Sequence, residues 1–231
     1  MKEALFLIPA RKGSKGLPDK NVKRLNNKPL IQYSIELAQR LTSNESICIS
    51  TDDPRVISIA ESLGVRVPFV RPSALASDSA SSYQVIEHAL SHYHEIGKTY
   101  EYVILLQPTS PFRNTEHVQG AFDLMNPDVD MVVSVKSSKA NPYFNLFEED
   151  DQGFLSLSKE ANITKRQEAP AVYEYNGSIY VIRTESLLRE GTLKLPRIKK
   201  YEMDERYSVD IDTSFDWSIA ELIANADKST S

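Results

Sequence analysis

The spacing of apolar positions changes repeatedly along the chain, and each change marks a new element. Residues 4–10, "ALFLIPA", form an unbroken apolar run bounded by Pro9 and Gly13, the pattern of a strand covered on both faces. Residues 29–41 then put Leu30, Ile31, Ser34, Leu37, Ala38 and Leu41 at helical spacing, with Pro29 suited to a first turn. "SICIST" (46–51) returns to a strand, and "DPRVISIAESLG" (53–64) to a helix with Asp53 as N-cap, Pro54 at the first helical position and Gly64 as stop. The alternation continues with a helix over 81–97, a strand over 102–108, a helix over 115–125 and a strand over 130–136. A strand over 176–183 and a helix over 212–226 follow, and the last five residues read as a frayed tail. Strands alternating with helices of this length predict one α/β domain over residues 1–231. Its sheet is expected to be open, twisted and mostly parallel, with helices on both faces and right-handed crossovers.

The alternation breaks between about 138 and 172. Two short apolar pieces, "YFNLF" (143–147) and "FLSL" (154–157), flank the polar turn Glu149–Gly153, which predicts a β-hairpin arm projecting from the core. Tyr143, Phe144, Phe147 and Phe154 give the arm more apolar surface than a free hairpin leaves exposed, so a homodimer that covers them is expected.

Composition narrows the class. A chain of 231 residues, 41% of them hydrophobic, is enough to bury one sizeable core. Its single cysteine, Cys48, lies in an apolar run, which excludes an internal disulfide and fits a reducing compartment. No apolar run approaches the ~20 residues of a membrane span, and the N-terminus lacks a signal-peptide pattern. A formal net charge of −5 argues against a general nucleic-acid binder. These features predict a cytoplasmic protein with neither nucleic acid nor membrane as partner.

One segment reverses the charge balance. Arg11–Lys28 carries seven Lys or Arg against the single acid Asp19. It directly follows the first predicted strand, where open α/β sheets bind ligands. Gly13 and Gly16 allow positive φ and close backbone approach, and Arg11, Lys12, Lys15 and Lys20 supply cations around exposed N–H groups. The loop fits either a polyphosphate cradle or a solvated basic surface. It matches neither G-x-G-x-x-G nor the P-loop pattern.

A second constellation is "SVDIDT" (208–213). In extended chain Asp210 and Asp212 point to one face, with Cα atoms roughly 7 Å apart, and a shared cation such as Mg²⁺ would relieve their repulsion. Alternatively, Asp212 caps the last helix and Asp210 is merely exposed. His88 and His92 stand at i and i+4 but lack a third ligand pattern, and read as a helix face.

The motifs "IPARKGSKGLPDKN", "ISTDD", "RPSALASDSASS", "LLQPTSPFR", "KRQEAP", "YNGSIY" and "SVDIDT" occur in an order that resembles the acylneuraminate cytidylyltransferases along nearly the whole chain. The resemblance implies a nucleotidyltransferase, glycosyltransferase-A-like fold. It implies transfer of CMP from CTP to the anomeric hydroxyl of a nonulosonic acid, foremost N-acetylneuraminate, with release of pyrophosphate, Mg²⁺ as cofactor and a homodimer built through the arm. By similarity, Arg11, Ser14, Lys20 and Asn21 hold the nucleotide, with Arg11 and Lys20 on the phosphates. Arg71, Ser82 and Asn21 read base and ribose. Asp210 and Asp212 bind metal, and Asp212 takes the proton from the attacking hydroxyl. Gln107 and Tyr180 match sugar-acid positions, and the acceptor's carboxylate calls for Lys165 or, better, the planar fork of Arg166, acting in its own or the neighbouring subunit. Arg55 is expected to be a solvent-exposed helix residue. "NPYFNLF" and "EGTLKLP" depart from N-acetylneuraminate relatives, and "NPYFNL" with "RQEAP" also resembles the legionaminic-acid branch, so legionaminic or pseudaminic acid is the alternative acceptor. An enzyme acting on an eight-carbon sugar acid or a sugar 1-phosphate, and a catalytically silent nucleotide-binding module, are the rival readings.

Overall fold

A computed structural model describes residues 3–13, 16–160, 162–163 and 165–228. In chain order the elements are β1 (Ala4–Pro9), β2 (Arg24–Leu25), β3 (Lys28–Pro29), α1 (Leu30–Leu41), β4 (Ile47–Ser50), α2 (Pro54–Ser62) and α3 (Ser82–Glu95). There follow β5 (Tyr102–Leu106), α4 (Thr115–Asp123), β6 (Met131–Ser137), β7 (Phe147–Glu149), β8 (Leu155–Leu157), β9 (Tyr173–Arg183), α5 (Thr184–Glu190), β10 (Ile198–Glu202) and α6 (Ser214–Lys228). The main sheet has the order β10-β6-β9-β5-β1-β4, and only β9 runs antiparallel to its neighbours.

The continuous apolar run of β1 explains the layering. Side chains alternate across a strand, so Ala4, Phe6 and Ile8 join one core while Leu5 and Leu7 join another. The first core packs α1, α2 and α4 through Ile31, Ile35, Val56, Ala60, Val118 and Ala121. The second packs α3 and α5 through Ile86, Leu90 and Leu187. Helices therefore cover both faces, as the pattern predicts. A third, smaller cluster joins Leu17, Leu25, Leu30, Ile211 and Trp217, and so ties the basic loop to the start of α6.

Three elements differ from the sequence reading. β9 begins at Tyr173 rather than Asn176, because Tyr173–Tyr175 pair with Ser137–Val135 beyond a register shift in β6. α5, at seven residues, is too short to show helical periodicity, and β10 is a lysine-bearing edge strand, "IKKYE", without alternation. The arm does form a hairpin, β7 pairing antiparallel with β8, and leaves Phe144, Leu146, Phe147, Phe154 and Leu155 exposed. No helix among the described residues is long and apolar enough to cross a membrane.

Asp130 joins β6 to the β10 side of the sheet. It is fully buried, accepts from Arg197 at 2.8 and 3.1 Å and from Ser186 Oγ at 2.7 Å, and the Arg197 guanidinium holds its carboxyl far below the ordinary value of 3.8. A carboxyl depressed in the folded state contributes stability that is full above about pH 5 and is lost as the pH falls. Asp130→Asn is therefore expected to cost about 1.5–3 kcal/mol at neutral pH, the worth of a charged hydrogen bond. The variant's urea-unfolding free energy should also fall less steeply than wild type between about pH 5 and about pH 3. An unchanged acid slope would contradict this role.

Candidate active site

The basic loop leaves the C-terminal end of β1 and is pinned at both ends. Ala10 N donates to Ser50 O at 2.9 Å and Thr51 Oγ1 to Ala10 O at 2.5 Å, so the loop starts locked to the end of β4. Lys12 N donates to Asp52 Oδ1 at 2.7 Å, which explains the first acid of "STDD". Gly13 takes the expected positive φ of 75°. Farther on, Asp19 is left-handed at φ 56°, and Arg55 holds it with an Nη2–Oδ1 bond of 2.6 Å while also donating to both Asp53 oxygens. Arg55 is solvent-exposed, as expected, yet it is engaged by two carboxylates. It ties α2 to the loop, because two carboxylates converge on its guanidinium. The tie sets up the single turn Lys20–Val22, in which Lys20 is buried and its Nζ donates to Asp212 Oδ1 at 2.8 Å. Ser14 lies outside the described residues.

The carboxylate pair is held from behind. Ile211 is fully buried in the third core cluster, and its N–H donates to Thr109 O at 2.9 Å, which turns Asp210 and Asp212 toward the cleft. Asp212 does not cap α6. Thr213 Oγ1 accepts from Asp216 N at 3.2 Å, and Asp216 Oδ2 accepts from Thr213 N at 2.8 Å, a reciprocal cap that leaves the Asp212 carboxylate to Lys20. Gly16 packs against the Asp212 carbonyl where a Cβ would collide. Gly177 does the same for the other acid: it sits at φ 68°, and a Cβ there would lie 2.8 Å from Asp210 Oδ2. The Asp210 tip reaches solvent, but the surrounding walls desolvate it and, with the Asp212 charge adding, raise its pKa against the pull of Thr109's hydroxyl.

Two cavities meet here. The smaller, about 210 Å³, is lined by Arg71, Ser77, Asp78 and Ser82 among others. The larger, about 530 Å³, holds Lys20, Asn21, Thr109, Tyr175, Tyr180, Asp210 and Asp212. Pro9, Arg11 and Gln107 line both, so the two form one cleft at the ends of β1 and β5. Arg71 is 5% exposed, donates to Ser50 O and Ser50 Oγ, and burial pulls its pKa down to about 10. Ser82 is free for a ligand because the capping box of α3 uses Ser81 and Gln84 instead. Arg11 pairs with Asp78 at 2.6 Å and donates to Ala76 O, fastening residues 76–78 over the smaller cavity. Tyr180 meets Tyr175 edge-on with centroids 6.2 Å apart.

Arg166 stands apart from the other candidates. It lies in the turn Arg166–Glu168 at the root of the arm, donates to Lys139 O at 3.2 Å, and neither it nor Lys165 lines the cleft of its own chain. Thr109, Tyr175, Gly177 and Asp78 escaped the sequence reading. Each lies inside a quoted motif, Tyr175 and Gly177 in "YNGSIY", Thr109 in "LLQPTSPFR" and Asp78 in "RPSALASDSASS", but no role was read from it. Phe69 packs edge-on against His88 and His92, and no cluster of three or more metal-ligating side chains occurs among the described residues.

A family profile described as Cytidylyltransferase matches residues 5–227. The chain belongs to the cytidylyltransferase family. Within it, the chain is 35% identical over 225 residues to the CMP-N,N′-diacetyllegionaminic acid synthase of Campylobacter jejuni subsp. jejuni serotype O:2, covering 96% of this chain and 95% of that one. It is 37% identical over 219 residues to the N-acylneuraminate cytidylyltransferase of Escherichia coli O18:K1:H7, covering 94% of this chain and 51% of that protein. Among solved structures, a CMP:2-keto-3-deoxy-manno-octonic acid synthetase complexed with CTP superposes with a TM-score of 0.68 at 19% identity, covering 99% of this chain and 100% of that one. That likeness shows the shared cytidylyltransferase fold.

Proposed function

We propose that this cytidylyltransferase transfers CMP from CTP to the anomeric hydroxyl of a nonulosonic acid and releases pyrophosphate. The observation that carries the reading is the junction of a cationic loop and an acidic pair in one cleft, joined by the Lys20–Asp212 contact. Arg71 and Ser82 offer donors for base and ribose in the smaller cavity. Arg11, Lys20 and Asn21, with Ser14 of the same loop, take the triphosphate at the junction. Gln107 and Tyr180 face the acceptor, and Tyr175 joins them.

Asp210 and Asp212 suit Mg²⁺: two acidic oxygen donors flank one buried residue, and the glycine at 177 leaves room for the Asp210 carboxylate. When bound, Mg²⁺ supplies charge neutralisation at the phosphates. The chain's own residues do the rest. Lys20, nearly buried, presents a fixed ammonium to the charge that builds on the leaving pyrophosphate. Asp212, with its side chain 69% exposed, is open to take the proton of the attacking hydroxyl.

The exposed arm aromatics support a homodimer, and the position of Arg166 outside its own cleft supports a role in the partner's. A dimer at micromolar concentration is expected by sedimentation, and a monodisperse monomer would contradict it. Arg166→Ala should raise the KM for the sugar acid about 10- to 100-fold and leave the KM for CTP nearly unchanged, because a charged contact is worth ~1.5–3 kcal/mol. Arg166→Lys should recover part of the loss, since a point charge replaces a two-point fork. Equal rises in both KM values would place Arg166 with the nucleotide or the dimer contact.

The acceptors in the relatives' names, N-acylneuraminate and N,N′-diacetyllegionaminate, are the two candidates, and pseudaminate follows from a 28%-identical Campylobacter jejuni relative. The buried, unpaired Cys48 suits a reducing cytoplasm, where CTP is at hand. Pyrophosphate release from CTP with these three acids, an eight-carbon acid and a sugar 1-phosphate ranks the acceptors by kcat/KM. Preference for either of the last two would overturn the nonulosonic-acid assignment.

A further inference from the structure

Arg113 carries a charge in an enclosed place, where it feels the Asp210 carboxylate but makes no ion pair among the described residues. It is 5% exposed and directly precedes the Asn114 cap of α4. Burying an unpaired charge opposes folding, so its contacts call for an explanation. Nη1 donates to Gln107 O at 2.7 Å and to Ser110 O at 2.5 Å, and Nη2 donates to Ser34 Oγ of α1 at 2.5 Å. The two carbonyls are the ends of one turn, closed by Ser110 N donating to Gln107 O at 3.3 Å.

That turn touches every part of the catalytic cleft. Gln107 lines both cavities. Thr109 O receives Ile211 N between the two acids, and the Thr109 side chain favours the ionised form of Asp210. Ser110 Oγ reaches Asn176 O, next to Gly177, at 3.5 Å. The fork geometry of a guanidinium can grip two carbonyls and a hydroxyl in one plane, which a lysine cannot do. Burial pulls the Arg113 pKa down to about 9, and the negative charge of Asp210 opposes that fall.

We propose that Arg113 is a positioning residue for cytidylyl transfer: it fixes the Gln107–Ser110 turn from behind the cleft, and through that turn the placement of Gln107 relative to the Asp210–Asp212 pair. The inference rests on the function proposed above. Ser34 acts in it only as the third anchor of the guanidinium.

Arg113→Lys, Ser34→Ala and the double variant test this, with thermal melting, CTP Kd by calorimetry, and kcat per folded molecule at saturating substrates. Arg113→Lys is expected to lower kcat about 10- to 100-fold, the scale of a misplaced catalytic constellation. CTP Kd should stay within about threefold, because the residue does not reach the nucleotide. Ser34→Ala should lower kcat per folded molecule about two- to fivefold and lower the melting point, because Arg113 Nη2 loses its acceptor, and should add almost nothing to Arg113→Lys, since neighbours in one network are not additive. Wild-type kcat in Arg113→Lys, or the full product of the two losses in the double variant, would overturn the proposal. If Arg113→Lys does not fold, Ser34→Ala decides alone: reduced kcat per folded molecule supports the anchor, and wild-type kcat overturns it. A wild-type chain that does not turn over CTP with any acceptor would instead overturn the functional reading, and the inference with it.

Discussion

Asp212→Asn is expected to lower kcat at least about 100-fold, the equivalent of ~3 kcal/mol of lost transition-state stabilisation. The substitution keeps size and removes one of the two negative charges offered to a divalent cation. Three features protect the fold. The side chain is 69% exposed, so its replacement opens no hole in the core, and the cost falls on the buried Lys20 ammonium alone. The start of α6 is capped by Thr213 and Asp216, so the helix does not depend on it. The amide oxygen can still accept from Lys20 Nζ, which lies 2.8 Å from the carboxylate in the wild type. Without Mg²⁺, CTP binding should hold or tighten, because a negative charge has left a cleft that receives a polyanion. Calorimetry without metal and turnover with it separate the two effects. Near-normal turnover would show that Asp212 is only the surface partner of Lys20.

Gly177→Ala is expected to reduce kcat about 10- to 100-fold through geometry alone, since small misplacements in a catalytic constellation cost that much. Two penalties coincide at this position. The left-handed φ of 68° costs a non-glycine residue about 1–2 kcal/mol. In addition, the new methyl would stand 2.8 Å from Asp210 Oδ2 and 3.3 Å from its Cγ, so the carboxylate must move. Gly191 supplies the control, with a φ of 64° and open space around its missing Cβ. Gly191→Ala should show the strain without the collision, a melting shift of about 2–4 °C per kcal/mol with kcat intact. If the two variants lose activity equally, crowding of Asp210 is not the cause.

The comparison of these glycines marks how far the sequence could be read. The layered α/β frame was legible because β1 is apolar without interruption and α1 to α4 carry clean helical spacing, so local pattern and global packing agree. The basic loop and the Asp210–Asp212 pair were legible from charge and spacing. That Asp212 does not cap the last helix was not legible, since it turned on Thr213 and Asp216 capping each other one turn apart. Arg113 and Thr109 were invisible for a different reason. Their contacts run to backbone atoms, Thr109 O with Ile211 N and the Arg113 guanidinium with Gln107 O, and a backbone partner leaves no trace in side-chain identity. Arg55 is exposed on α2 as expected, but its tie to the loop was not legible, because Asp19 reaches it at 2.6 Å from 36 residues away. β10 and α5 were too short or too charged to show a period.

The measurement that bears most directly on the account is phosphorus NMR of the product mixture from CTP, Mg²⁺ and a nonulosonic acid. Attack by the anomeric hydroxyl at the α-phosphorus predicts one equivalent of inorganic pyrophosphate for each CMP-linked sugar acid, with neither CDP nor free phosphate formed. The initial rate of product formation should fall at least about 100-fold in Asp212→Asn and survive in Gly191→Ala. Products of β- or γ-phosphoryl transfer, or CTP left intact with every nine-carbon acid in the panel, would contradict the assignment of this cleft to cytidylyl transfer.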